Sequence, residues 1–530
     1  MHSLDSGASP TPAIPAVSDA AVPDIPSMLT SLALTQPDVP ALLAPERPTL
    51  DFAGLHAQMR YVCDTLGGWG IERGDPVAVL LPRGPEMAAV CALLPAAATC
   101  VPLDANASAE ACERLFERCA VRALVTLGGT RCAATDTAER MGLMRIGLAA
   151  ERSAPAGSFE LILERRPTAR PAPSPCGPGT AYVLSTSGTT ARNKLVPVEH
   201  RQITAYSAAI KPLYRYVPTD LSIQIVPPHL AHGIKSALMV PLLAGTSIVC
   251  PPAFQVDDFF RLLDEYRPTW FTAGFTVYRE LLRAADRYRQ VIRNARLRFL
   301  RVGSGKLEEH EIAALERVFN APVILNLSST ETCLLAVSPF PPGQRKSGSL
   351  GRTLVNEIAI RGLDGRILPP GEEGEIVARG PLVFDGYIDD PELTRQAFVD
   401  GWYRTGDMGR LDDEGFLYLT GRIKDVINRG GEKISPAEID AVLACHPAVA
   451  DAAAFGLPHQ TLGELVVAAV VPRQDVPADE NDIRRHLRAR LSPTKVPSRI
   501  FFVDRLPRLE NGKLRRDRLR QTFASRAARA

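Results

Sequence analysis

Between about residues 50 and 330 the chain alternates short apolar runs with longer amphipathic segments. That rhythm restricts the fold more than any other feature of the sequence. Pro76-Val77-Ala78-Val79-Leu80-Leu81 reads as a buried strand, and Gly84 to Ala98 as the helix after it. Residues 122–126, 222–226, 270–272, 299–302 and 322–325 repeat the strand type. Asp257 to Tyr266 and Glu308 to Phe319 repeat the helix type. Strands that are apolar throughout and separated by helices are buried on both faces, which predicts a parallel sheet covered by helices. After about residue 345 the strand-like runs crowd together between Gly and Asp turns, at 357–360, 374–377 and 416–419. Antiparallel or barrel-like pairing is expected there. Beyond Gly421-Arg422-Ile423-Lys424-Asp425 a compact α+β pattern begins. It has a helix from Pro436 to Cys445 with Ser435 as N-cap, a strand at 466–471, a basic helix from Glu480 to Leu491, a strand at 499–503 and a last helix from Leu514 to Arg526. A domain boundary is expected near 421–425.

A chain of 530 residues has apolar surface for several cores. Its 45% hydrophobic and 23% charged content is ordinary for a globular protein, and a net charge of +2 gives no chain-wide field for nucleic acid. The ten cysteines form no Cys-x-x-Cys pair and no zinc-type spacing, so they read as small buried residues in a reducing compartment. No apolar run reaches the ~18 residues of a membrane span. Residues 1–26 are rich in Ala, Pro and Ser and read as a disordered tail. No Lys or Arg precedes Arg47, which leaves no basic start to a secretory signal. The expected location is the cytoplasm. The sequence does not speak to oligomeric state.

Ser185-Thr186-Ser187-Gly188-Thr189-Thr190-Ala191-Arg192-Asn193-Lys194 lies between two apolar runs. Small hydroxylated residues around a glycine let a loop curl, so that N–H and O–H groups point inward at the oxygens of a polyphosphate. A lysine adds positive charge. Such clusters are also ordinary surface loops, and the P-loop pattern is absent.

Four further segments decide against an ordinary loop: Leu327-Ser328-Ser329-Thr330-Glu331, Tyr403-Arg404-Thr405-Gly406-Asp407, Gly421 to Asp425, and Asn511-Gly512-Lys513-Leu514-Arg515. In this order and at these wide spacings they resemble the adenylate-forming superfamily of acyl-CoA synthetases, adenylation domains and luciferases. The resemblance covers about residues 45 to 520. It implies an α/β fold: a large N-terminal domain of helix-covered sheets with a small antiparallel β subdomain, over 27–421, then a small mobile α+β C-terminal domain over 422–530.

The resemblance also implies roles. Ser185, Thr186, Ser187, Gly188, Thr189, Thr190 and Lys194 match the phosphate loop. Glu331 matches the carboxylate that holds Mg²⁺, with Thr330 at the α-phosphate. Asp407 matches the ribose clamp, assisted by Arg422. Lys513 matches the mobile catalytic lysine that bridges the attacking carboxylate and the α-phosphate; Thr186, Glu331 and Lys194 share the catalytic work. Asp425 matches the hinge. Gly430, Gly431, Glu432 and Lys433 resemble the loop brought in for thioester formation. His229, His232, Gly303, Ser304, Gly305 and Lys306 match the acyl pocket. The implied reaction is ATP-dependent activation of a carboxylic acid to an acyl-adenylate, followed by a thioester with coenzyme A. ATP, Mg²⁺ and coenzyme A are the implied cofactors. The alternatives are loading of a carrier-protein phosphopantetheine, or an ATP- or acyl-AMP-binding protein with altered or lost activity.

Several positions depart from the family pattern. Ala191 and Asn193 stand where Gly and Pro are usual, Lys306 where Pro is usual, and Leu327-Ser328 where an aromatic-Gly pair would stack on adenine. His232 stands where amino-acid adenylation domains place Asp, which disfavours an α-amino acid. Glu280, not Arg, occupies the place matching malonyl-CoA synthetases, which does not support malonate. Lys235, Arg279 and Lys306 could meet a second carboxylate, although long basic side chains ordinarily run to the surface; the surface reading is the one taken. Residues 297–307 resemble the oxalyl-CoA and related small-acid synthetases.

Overall fold

The computed structural model describes residues 23–168, 172–186, 193–303, 307–473, 476–508 and 514–527. The alternating region forms two sheets. One has seven strands, in the order Glu160–Arg165, Met144–Ala149, Ala123–Leu127, Pro76–Leu80, Thr99–Pro102, Thr180–Thr186, Lys194–Glu199. Its two edge strands run antiparallel to their neighbours and the interior is parallel. The other has eight, in the order Ala336–Val337, Val323–Leu327, Phe299–Gly303, Trp270–Gly274, Leu221–Gln224, Ser247–Val249, Pro40–Leu43, Leu50–Asp51.

The helix Pro85–Leu93 is buried around its whole circumference. A helix that is apolar on every side has no face for water and must sit between layers. The principal hydrophobic cluster joins it to residues of both sheets, such as Val79 and Ile248, and to the helix His200–Tyr214. The strand Pro40–Leu43 pairs parallel with Ser247–Val249, Leu42 beside Ile248. The sequence reading assigned no element to this stretch. Ile25 is fully buried at the start of the helix Ile25–Thr35, capped by the Asp24 carboxylate. The last residues of the tail expected over 1–26 are instead part of an ordered helix, because Ile25, Leu29 and Leu32 have an apolar face to bury; residues 1–22 lie outside the described residues.

Five antiparallel strands follow: Glu357–Arg361, Gly374–Arg379, Phe398–Val399, Trp402–Leu411 and Leu417–Arg422. After the 3₁₀ turn Ile423–Asp425 the C-terminal unit forms its own sheet, in which Val449–His459 and Gly463–Pro472 make the long hairpin. Helices Pro436–Ala444, Glu480–Arg488 and Arg516–Ala527 accompany it, and this unit has its own apolar clusters. Ser435 is at the N-cap position, but its hydroxyl donates to the Thr420 carbonyl at 2.6 Å instead of capping the helix. It links the start of that helix to the last strand of the preceding sheet. No helix among the described residues is long and apolar enough to cross a membrane.

Candidate active site

The antiparallel pairing of Thr180–Thr186 with Lys194–Glu199 sets Thr186 opposite Lys194, with exposed Ser185 one residue before it. Ser187, Gly188, Thr189 and Thr190 lie outside the described residues. Lys194 Nζ donates to the Tyr387 hydroxyl at 3.2 Å and lies 4.8 Å from the centre of that ring. The Tyr387 hydroxyl in turn donates to Glu331 Oε1 at 3.2 Å. Burial and the Glu331 carboxylate both raise the Tyr387 pKa, so the hydroxyl stays protonated as that donor.

Glu331 follows Thr330 on a turn held from two sides. Its carbonyl accepts from Phe384 N–H at 2.8 Å. Beneath the turn, Lys235 Nζ donates to the carbonyls of Ser329 at 2.8 Å and Thr330 at 3.1 Å. Lys235 is only 2% exposed, contrary to the surface reading. A buried ammonium needs strong acceptors, and these two carbonyls supply them. Arg279 is likewise engaged, in an ion pair with Glu311 at 2.5 Å.

The Tyr403-to-Asp407 segment lies within the strand Trp402–Leu411. Opposite Glu375–Val377 that strand carries a bulge, with Gly406 at φ +72°. Bulges re-aim side chains. Here the Thr405 hydroxyl donates to the Ile376 carbonyl at 2.7 Å and accepts from Asp407 N–H at 3.0 Å. Asp407 faces Arg422 across the pairing with Leu417–Arg422, and their side chains meet at 3.0 Å. Buried Tyr403 lies near both carboxylates: Glu331 and Asp407 each push its pKa up, after the larger effect of burial. Thr186, Lys194, Thr330, Glu331, Asp407 and Arg422 are thus linked through two tyrosines.

Nearby, Pro227 to Gly233 leads into a π-helix, His232–Met239. Such widened turns are frequent at functional sites. A Cβ on Gly233 would sit 1.8 Å from the Pro227 carbonyl oxygen, so only glycine allows this approach. His229 is half-buried. The His232 ring lies against Gly303, where a Cβ would come within 2.4 Å of it, and His232 Nε2 is 2.8 Å from Thr272 Oγ1. Removal from water, together with the positive charges of Arg301 and Lys235, pushes the His232 pKa down to about 3. At neutral pH the ring is an uncharged wall. Ser304, Gly305 and Lys306 lie outside the described residues.

In the C-terminal unit Gly430 and Gly431, at φ +60° and +91°, form the tight turn between Ile427–Arg429 and Glu432–Ile434. Two successive positive φ angles are what a two-residue hairpin of this hand requires. Glu432 and Lys433 are exposed beside it. Asp425 pairs with Arg516 at 3.5 Å, and its carbonyl accepts from Arg520 at 3.3 Å, both on the last helix. Lys513 lies outside the described residues. Its flanks do not: Arg508 and Leu514 pair in a single bridge, and the Arg508 guanidinium stands 5.3 Å from the Phe275 ring. Phe275 starts the helix that follows strand Trp270–Gly274.

The family described as AMP-binding enzyme matches residues 30–388, well over half of the chain. The chain belongs to the AMP-binding enzyme family. The companion family, AMP-binding enzyme C-terminal domain, matches residues 438–513. An oxalate–CoA ligase of Arabidopsis thaliana is 34% identical over 94% of this chain and 98% of its own length. A sulfoacetate–CoA ligase of Cupriavidus necator is 33% identical, over 91% and 94%. ATP-bound MatB from Rhodopseudomonas palustris superposes with a TM-score of 0.84 at 26% identity, covering 95% of this chain and 99% of that one. This AMP-binding enzyme is an ATP-dependent, AMP-forming acid–thiol ligase that makes acyl-CoA with ATP, Mg²⁺ and coenzyme A.

Two residues that touch the candidate site of this AMP-binding enzyme escaped the sequence reading. Tyr387 belongs to Val383-Phe384-Asp385-Gly386-Tyr387, which looks like an ordinary aromatic turn, and only the fold carries it to Glu331. Lys235 was noticed as a charge, but nothing in sequence spacing ties it to the carbonyls of Ser329 and Thr330, 94 and 95 residues away.

Two histidines, His200 and His232, predict acid lability. His200 accepts from Ile25 N–H at 3.4 Å and faces Arg73 at 3.2 Å, and burial with that arginine pushes its pKa down to about 4. Unfolded imidazoles bind protons near pH 6.5, whereas His200 and His232 do so only near 4 and 3. Their contribution to stability is complete above pH 6.5 and is lost as pH falls from 6.5 to about 4 for His200 and about 3 for His232, by roughly 2 kcal/mol each at pH 5. Urea midpoints at pH 7 and pH 5 should separate accordingly, and His200→Gln should remove about half of the gap. Coincident midpoints would contradict the assignment.

Proposed function

We propose that this ligase divides its work along the chain as follows. Thr186, Lys194 and the loop between them cradle the phosphates. Glu331, with the phosphate oxygens, holds Mg²⁺. The donor set fits that ion: Glu331 offers one carboxylate, whose Oε1 is held by the Tyr387 hydroxyl. Mg²⁺ favours one or two carboxylates completed by substrate phosphates and water. When bound, the ion offsets phosphate charge. Tyr387 fixes the Glu331 carboxylate by donating to Oε1, and Lys235 fixes the turn beneath it. Asp407 accepts the ribose hydroxyls, steadied by Arg422. His229, His232 and Gly303 to Lys306 bound the acid.

A carboxylate oxygen of the acid attacks the α-phosphorus, and the bond to the β-phosphate oxygen breaks. Pyrophosphate leaves and an acyl-adenylate remains, with Lys513 at the developing charge. The C-terminal unit, beginning near 422, then turns about Asp425 and brings Gly430 to Lys433 to the site. The thiolate of coenzyme A attacks the acyl carbonyl, and AMP leaves. Free coenzyme A, not a carrier protein, is the acceptor. The cysteines among the described residues are unpaired, which supports a cytoplasmic enzyme. Oxalate and sulfoacetate, acids of two relatives, each carry a second oxyanion.

The observation that carries this reading is the chain of contacts from Lys194 through Tyr387 to Glu331, with Tyr403 leading on to Asp407. The purified protein should release pyrophosphate from ATP only when a suitable acid is present, and form a thioester when free coenzyme A is added. Asp407→Ala should raise the KM for ATP about 10- to 100-fold, the effect of losing a charged hydrogen-bond acceptor, with little change in the KM for acid. Thioester formation on a phosphopantetheinylated carrier protein but not on free coenzyme A would overturn the choice of acceptor.

A further inference from the structure

Below the His232 ring the second sheet carries a buried positive charge that no catalytic step above uses. Arg301 lies two residues before Gly303 on strand Phe299–Gly303, and the register sets it beside Thr272, the partner of His232. It is 1% exposed. One of its nitrogens, Nη2, donates to the Tyr206 hydroxyl, and the guanidinium carbon stands 5.8 and 5.9 Å from the centres of the Tyr206 and Tyr214 rings. Nε and Nη1 make no hydrogen bond of good geometry, and the nearby Tyr214 and Tyr216 hydroxyls are unmatched as well; the Tyr214 phenol is the next group to engage the charge. The groups that act most on its charge are the phenols of Tyr206, Tyr214 and Tyr216, none of them a carboxylate. Asp220, at the foot of the sheet, is engaged by Arg298 at 2.5 Å and by Thr269 at 2.7 Å.

The neighbouring strands add to this layer. Ser222 pairs with Trp270 and Gln224 with Thr272, so their side chains share the face of Arg301. Ser222 Oγ, Gln224 Nε2 and Trp270 Nε1 are buried and also lack a partner. Three adjacent strands therefore carry unmatched polar atoms, mostly donors, on the face of the sheet that bears Arg301. Leaving a buried charge unpaired is strongly unfavourable, and neutral phenols are weak counterparts for it. A ligand oxyanion would satisfy charge and donors together.

We propose that Arg301 is the counter-ion for a second oxyanion, carboxylate or sulfonate, at the far end of the acid that this enzyme activates. The proposal rests on the reading of His232 and Gly303 as walls of the acyl pocket. Among the described residues, the two other cations considered for a second carboxylate are occupied: Lys235 by backbone carbonyls and Arg279 by Glu311. His232 adds no charge at neutral pH, which leaves Arg301 as the buried cation beside this ring whose nitrogens are incompletely matched among the described residues. Two residues of strand separate Gly303 from Arg301, about 6–7 Å, a span that suits a short diacid and not a long chain.

The test is pyrophosphate release by the full-length enzyme with matched acids: oxalate, malonate, succinate, glutarate and sulfoacetate against acetate, propionate, butyrate and valerate. At least one acid with two anionic groups should exceed its neutral-tailed counterpart by about 100-fold in kcat/KM. Arg301→Gln should cut kcat/KM for that acid about 30-fold or more, chiefly through KM, and leave the monocarboxylates unchanged. Arg301→Lys should restore part of the loss. A wild-type enzyme that prefers neutral-tailed acids overturns the proposal, whether or not the variants fold. So does an Arg301→Gln variant that slows both classes equally, since that is the signature of a packing role. If no acid of any class supports pyrophosphate release, the ligase reading itself fails, and the two failures are told apart.

Discussion

Alanine in place of Lys513 is expected to slow acyl-adenylate formation by about 10³-fold while ATP still binds. As the acid attacks, negative charge gathers on the α-phosphate and the entering oxygen. A cation placed where that charge develops contributes only in the transition state, and removing one such donor typically costs 10²- to 10³-fold in rate. The phosphate loop and Glu331 belong to the other unit, so ATP affinity should change little. Pyrophosphate exchange driven by the acid would report the loss, and equilibrium ATP binding would report the retained site. Thioester formation from supplied acyl-adenylate should proceed at the wild-type rate, because the lysine is assigned to the first half-reaction alone. Equal slowing of both halves would instead mean a damaged C-terminal unit. Arg508, on one flank of the lysine segment, pairs with Asp451 at 2.7 Å and stands 5.3 Å from the ring of Phe275, at the start of the helix that follows strand Trp270–Gly274.

Glu331→Gln is expected to lower kcat about 10²- to 10³-fold and to raise the Mg²⁺ concentration needed for half-maximal rate. The amide keeps the shape of the side chain and can still accept the Tyr387 hydroxyl, so the turn should survive. What it lacks is the charge that holds a divalent ion beside the phosphates. Titrating Mg²⁺ at saturating ATP and acid separates this from a folding defect, for which added metal would change nothing. Tyr387→Phe removes the donor that orients Glu331 but not the carboxylate. Its effect should be smaller, about tenfold, and should follow the same metal dependence. If Glu331→Gln left the metal requirement untouched, the carboxylate would have no part in holding the ion.

The strands and helices were legible because their signal is local. The run from Pro76 to Leu81 is apolar whichever sheet it joins, and Glu309–Phe319 shows its buried face at Ile312, Leu315 and Phe319 through spacing alone. Which strands become neighbours was not legible. The reading anticipated helix-covered sheets, but it could not tell that Leu42 would lie beside Ile248 or that Pro85–Leu93 would be enclosed between layers. The candidate site divides in the same way. Thr186, Glu331, Asp407 and Arg422 announced themselves through ordered motifs, whereas Tyr387 and Arg301 sit in segments with no distinguishing local chemistry. Lys235 was given the opposite environment, because a lone lysine in sequence is ordinarily solvated and nothing local reveals two carbonyls waiting beneath a distant turn.

The sequence alone determined the kind of chain this is: an α/β fold with an appended antiparallel unit and a small C-terminal domain, carrying the ordered residues of an adenylate-forming ligase. Those properties follow from hydrophobic period and short motifs, which act over a few residues. Only the tertiary structure decided which polar groups lose their water together. Burial is a property of the packed whole, and it makes His232 a neutral wall, Tyr387 a fixed donor and Arg301 a charge without a counter-ion.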